Sequence, residues 1–143
     1  MSEVAFYHCT KAPAETVALR LAARAHESGA RLLIVAAPET LEALDARLWT
    51  DDPASFLPHG RVDAQAADQP ILLAETPDPL NGASLLLLVS HPLPAVRPFQ
   101  RTLHLFDHDT PAHTRAREEW KSLPPDQRTY WQQDAQGRWQ KKG

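Results

Sequence analysis

The run RLLIVAA, residues 31–37, is apolar at every position after its first. A strand with one wet face would alternate, so this run has to be covered on both sides, and segments of helical period flank it. KAPAETVALRLAARAHESGA before it sets Val17, Leu21 and Ala25 at i, i+4 spacing, with Pro13 near the start and Gly29 where helices commonly stop. PETLEALDARLW after it places Leu41, Leu44 and Leu48 on one side. With VAFYHC (4–9) as a short first strand, strand and helix alternate twice, which predicts βαβ units and a parallel sheet.

Further strands are expected at QPILLAE (69–75), ASLLLLVS (83–90) and RTLHLFDHD (101–109), joined by the proline-rich connections TPDPLNG and HPLPAVRPF. TPAHTRAREEWKSL (110–123) opens with the Thr-Pro signature of a helix N-terminus and stops before Pro124-Pro125. RTYWQQDAQGRWQ predicts an edge strand or a hairpin around Gly137. The expected architecture is α/β: a single three-layer domain over residues 1–143, with a mostly parallel sheet and helices on both faces.

Folds of this class often bind nucleotides through a glycine-rich turn after the first strand, because only glycine lets backbone amides approach a phosphate closely. Here that turn is HCTKAPAET, and the chain has five glycines with no GxxxxGK[ST] or GxGxxG. A phosphate-binding loop is not expected, and no cofactor is implied.

Other function classes are narrowed by composition. No apolar run approaches the ~18 residues of a membrane span, and the N-terminus lacks a basic start with an apolar stretch, so no membrane partner and a cytoplasmic address are expected. The sole cysteine, Cys9, precludes an intramolecular disulfide and fits a reducing compartment. A net charge of -3 argues against coating nucleic acid over a broad face. Yet from residue 111 onward the chain sums to +3, leaving -6 on residues 1–110, a basic C-terminal segment on an acidic body.

Enzyme chemistry has one candidate cluster, HLFDHD, with His104, Asp107, His108 and Asp109 at a strand end. It reads either as a small metal-assisted hydrolase or as a polar strand end with an aspartate near a helix N-terminus. Alternate strand residues face opposite ways, and no ligand geometry follows from the spacing. Cys9 beside His8 reads as a thiol nucleophile or as a buried strand cysteine. Neither cluster assigns a catalytic residue or a metal ligand.

Trp120, Trp131 and Trp139 are interleaved with the basic excess, and His113, Arg117 and Lys121 recur at i, i+4, i+8 on the last helix with Trp120 beside them. A guanidinium next to an indole suits the terminal carboxylate of a peptide and its last side chain. The alternative is that Trp120 packs in the core and the charges form a solvated face. Upstream, LWTDDPASFLPHG (48–60) sets Trp49 and Phe56 in a stretch too broken by Asp and Pro for regular structure.

From FYH near the start, through LDARLW, SFLPHG and QPILL, to AREEWK and QDAQGRW, the chain resembles the chi subunit of bacterial DNA polymerase III over nearly its full length. The resemblance implies a nucleotide-binding-like topology used by an adaptor rather than by an enzyme. Its implied partners are the psi subunit, the C-terminal tail of single-stranded DNA-binding protein and, in some relatives, a helicase, with DNA reached only through protein. Carried over, the psi-facing positions are Trp49, Phe56 and Pro58, and the tail-binding positions are His113, Arg117, Trp120 and Lys121. His113 stands where some relatives have lysine. Pro124-Pro125 shortens the helix where others add basic residues, which leaves open whether Arg128 takes their place.

Overall fold

The computed structural model describes residues 3–50, 58–63 and 65–143, apart from the side chains of Trp49 and Thr50. Its elements are β1 (Glu3–Cys9), α1 (Ala14–Glu27), β2 (Leu32–Val35), α2 (Pro38–Thr50), β3 (Gly60–Arg61), β4 (Ile71–Ala74), β5 (Leu85–Val89), β6 (Arg101–Asp107), α3 (Pro111–Ser122), β7 (Arg128–Gln133) and β8 (Trp139–Lys141). Together the strands form one sheet in the order β3-β4-β2-β5-β6-β1-β7-β8. Every pairing is parallel except β7 with β8.

Strand alternation sorts the core. Ala5, Tyr7, Cys9, Leu32, Ile34, Ile71, Leu73, Leu87, Val89, Leu103 and Leu105 point to the face covered by α1 and α2, whose Val17, Ala18, Ala22, Leu41 and Leu44 complete that layer. On the opposite face α3 covers only one end, where Ala112 and Ala116 pack on Val4, Phe6 and Phe106. The other end is closed without an α-helix, by Ala66 of a single 3-10 turn and by Ala83 and Phe99 of the connecting segments, against Leu33, Val35, Leu72, Leu86 and Leu88. The three-layer expectation therefore holds with an asymmetric second layer. TPDPLNG and HPLPAVRPF are short crossovers that take the place of helices. Asn81 secures the first of them by donating Nδ2 to the carbonyls of Leu32 and Gln69.

Successive crossovers travel in opposite directions. After β1 the chain passes over one face through α1 to β2, and after β6 it passes under the other through α3 to β7. The adjacent ends of β1 and β6 thus form a switch point, the crevice where parallel α/β sheets usually hold ligands. The tail is more than an edge: β7 pairs in parallel with β1, and the hairpin to β8 turns at Gly137, whose φ of 80° is a left-handed conformation suited to glycine. Strand β3 is an edge the sequence did not announce. Its Gly60 lies under Gln69, whose side chain would come within 2.7 Å of any added Cβ.

Candidate functional site

The last helix is built as its sequence suggests. Thr110 caps it by accepting the His113 N–H, Pro111 occupies the first turn, and the chain leaves at Leu123 ahead of two prolines. Its indole is shared between core and surface. Trp120 makes edge contacts with Phe6 at 5.3 Å and Tyr130 at 5.5 Å, while its outer edge lines an open groove of about 290 Å³. Arg117, Lys121, Tyr130, Lys142 and Gly143 complete the lining. The two readings of Trp120 are therefore both satisfied by one residue.

Arg117 is exposed and makes no hydrogen bond or ion pair among the described residues. Lys121 pairs with Glu118 at 3.5 Å, but both side chains are more than 70% exposed, so water screens the pair and the lysine is readily recruited. Arg128 is committed elsewhere: its guanidinium lies 4.2 Å from the centre of the Trp120 ring and Nη1 donates to the Trp120 and Leu123 carbonyls at the end of α3. It braces the wall of the groove and is absent from its lining.

His113 departs from the expected cationic stripe. Helical spacing aligns it with Arg117, but it lies in the first turn, is buried, and faces inward against His8 with ring centres 4.2 Å apart. Its Nδ1 accepts the Asp109 N–H at 3.0 Å. Burial first, then Arg117 and His108, lower its pKa, so it adds no positive charge to the groove at neutral pH. Tyr130, Lys142 and Gly143 are not among the sequence candidates; the parallel pairing of β7 with β1 brings in Tyr130, and the antiparallel return after β8 brings in Lys142 and Gly143. Trp131 and Trp139 belong to the opposite face, against Tyr7.

The residues of HLFDHD do not converge. His104 donates through Nε2 to Glu119 at 2.8 Å, Asp107 accepts the Ala14 N–H, and His108 reaches His8. His104 and His108 share a face but stand four residues apart, roughly 13 Å along a strand. Cys9 is buried on the face opposite His8, and burial followed by the nearby Asp107 pushes its thiol up to about 12, which removes the thiolate a nucleophile requires.

The turn after β1 is closed from within. Its Lys11 and Ala12 amides both donate to Oε1 of the buried Gln133, at 2.9 and 3.2 Å, and the next free helix amide, that of Ala14, donates to Asp107 Oδ1 at 2.8 Å. Amides that could receive a phosphate are already satisfied by two side-chain oxygens.

Of the LWTDDPASFLPHG positions, Trp49 lies in the last turn of α2 and Pro58 is exposed just before β3; Phe56 lies outside the described residues. His59 anchors the return of this segment, its buried ring meeting Asp45 of α2 at 2.7 Å. Among the described residues no helix is long and apolar enough to cross a membrane.

A mostly parallel α/β sheet with a sealed phosphate turn and an open groove walled by an indole and lined by cations defines the class: an α/β domain whose accessible chemistry is on its last helix. The description "DNA polymerase III chi subunit, HolC" matches residues 1–128. The chain is also similar to "Probable DNA polymerase III subunit chi" of Rickettsia prowazekii (strain Madrid E), 30% identical over 92 residues, covering 63% of this chain and 56% of that relative. The chain belongs to the DNA polymerase III chi subunit family. The match spans little more than half the length of the curated relative.

Proposed function

We propose that this protein is a non-catalytic adaptor of the clamp-loader assembly, a single domain over residues 1–143 that links a psi subunit to the C-terminal tail of single-stranded DNA-binding protein. Its parallel α/β topology serves as scaffold, resembling nucleotide-binding folds in architecture alone. One observation carries the reading: Arg117, exposed and unpaired among the described residues, stands at the lip of an apolar groove walled by Trp120 and Tyr130. A terminal carboxylate would meet the guanidinium, the last apolar side chain would lie against the indole, and acidic residues upstream would face Lys121 and Lys142. His113, the fourth tail-binding position, would act by fixing the first turn of α3 rather than through charge. Trp49, Phe56 and Pro58 would form the separate psi-docking surface, with aromatic anchors at its centre.

The test is titration with a synthetic acidic tail peptide. Arg117→Ala should weaken binding at least about tenfold, or ~1.4 kcal/mol, and added salt should weaken wild-type binding. Undiminished binding by the variant would remove the groove from the proposal. Co-purification of psi should be lost in Trp49→Ala while tail binding persists.

A further inference from the structure

Three histidines, of which the adaptor reading uses only His113, meet at the switch point of the sheet. His8 is the penultimate residue of β1, His108 follows β6, and His113 enters from the first turn of α3. One ring nitrogen of each lies within 4.8 Å of the others. His8 Nε2 and His108 Nδ1 are already 2.8 Å apart, and the His108 and His113 ring centres are separated by 5.4 Å. His8 and His113 are buried, whereas His108 is exposed and leaves one side open to solvent.

From this arrangement we propose that His8, His108 and His113 form a three-imidazole site for a borderline divalent transition metal of the zinc class. Zinc takes imidazole nitrogens at about 2.0–2.1 Å, which places tetrahedral ligands about 3.3 Å apart, so closure requires side-chain adjustments of the order of 1 Å. The solvent side of His108 supplies the position for a fourth, exchangeable ligand.

Hydrogen bonding around the rings defines what each must do. The Tyr130 hydroxyl is 3.1 Å from His8 Nδ1, so the tautomer with its proton on Nδ1 donates to that oxygen and turns the Nε2 lone pair toward His108. In the metal-free pair His108 Nδ1–H then donates to His8 Nε2; on binding, the metal replaces that hydrogen and the His108 proton sits on its solvent-facing nitrogen. His113 gives up the Asp109 N–H bond to ligate, which weakens the site. Arg117 opposes a dication electrostatically, whereas Asp109, adjoining both His108 and His113, favours one.

The test uses the full chain without a purification tag. Zn(II) is titrated in competition with a chromophoric chelator, Co(II) binding is followed by visible absorption, and thermal midpoints are recorded with each metal. One equivalent of zinc, an intense four-coordinate cobalt band and a raised midpoint are expected. His108→Ala alters an exposed ring and should fold, yet lose at least about tenfold in affinity; His26→Ala should bind as the wild type does. No zinc binding by the wild type, a pale six-coordinate cobalt spectrum, or equal binding by His108→Ala would overturn the site.

Discussion

Removing the Glu119 carboxylate should destabilise the fold by an amount set by two donors it alone satisfies. Oε1 meets His104 Nε2 at 2.8 Å, and Oε2 accepts the Leu93 N–H at 2.6 Å, tying α3 to β6 and to the crossover that replaces a helix on that face. The His104 side chain is 1% exposed and that of Glu119 16%, so water reaches the carboxylate poorly and the ring hardly at all. Each stranded donor costs about 1–3 kcal/mol, and relief of the carboxylate's own desolvation returns part of that. Glu119→Ala should therefore lose about 2–3 kcal/mol, near 10 °C in Tm for a chain of this size. Glu119→Gln should lose less, about 1–2 kcal/mol. Its amide can face His104 only if the ring moves its proton to Nδ1, a buried atom with no partner.

The same contact makes a signed pH prediction. Burial alone would raise the Glu119 pKa, but the His104 and Leu93 hydrogen bonds, with the charge of Arg115, hold it below the ordinary carboxylate value. A carboxylate with a depressed folded pKa contributes stability that is present above its unfolded pKa and lost as pH falls through the folded one. Urea denaturation followed by circular dichroism should thus show the gap between wild type and Glu119→Gln narrowing between about pH 5 and pH 3. A Glu119→Ala protein within about 0.5 kcal/mol of wild type at pH 7, or a gap that ignores pH, would refute the reasoning.

Two further outcomes follow from side chains that occupy or seal chemistry. Gln133→Ala frees the Lys11 and Ala12 amides and removes the Gln133 bond to the Gly137 carbonyl at 3.3 Å, so about 2 kcal/mol should be lost. In that variant sulfate should raise the thermal midpoint more than it does in wild type, and an equal response would show that the amides do not form an anion site. Cys9, buried with its thiol pushed up to about 12, should resist a thiol-specific chromogenic disulfide at pH 8 until the chain is denatured. Rapid labelling of the native protein would contradict the packing of β1 described above.

Much of the fold was legible because its signals are local. RLLIVAA and ASLLLLVS could only be strands covered on both sides, and the i, i+4 pattern of Val17, Leu21 and Ala25 could only serve a helix lying on them. Leu41, Leu44 and Leu48 are buried, as their spacing required. Legibility ended where long-range pairing decided the outcome. Nothing near Arg128–Gln133 says that the strand joins β1 in parallel rather than fraying at an edge, yet that pairing supplies Tyr130 to the groove and Gln133 to the turn after β1. Periodicity likewise aligned His113 with Arg117 and Lys121. It could not show that a first-turn position points beneath the helix, toward His8.

Gln133 explains why an architecture suited to phosphate offers its chemistry elsewhere. In a parallel α/β sheet the amides after the first strand are donors that need an acceptor, and a glycine-rich turn leaves them for a ligand. Here Lys11 and Ala12 occupy that turn, and their amides are satisfied by an oxygen delivered from a strand more than a hundred residues away. Because Gln133 is itself buried, removing it costs stability, and the seal is coupled to the fold. What stays accessible lies along α3: His108 beside the turn, then Arg117 and Tyr130, then Trp120 toward the opposite end of the strands. Tyr130 joins the two, since its ring lines the groove while its hydroxyl meets His8. A cation held by the three imidazoles would add positive charge behind the wall against which an acidic tail is proposed to lie. Zinc should therefore tighten tail-peptide binding in the wild type and leave it unchanged in His108→Ala, a linkage that neither site would produce alone.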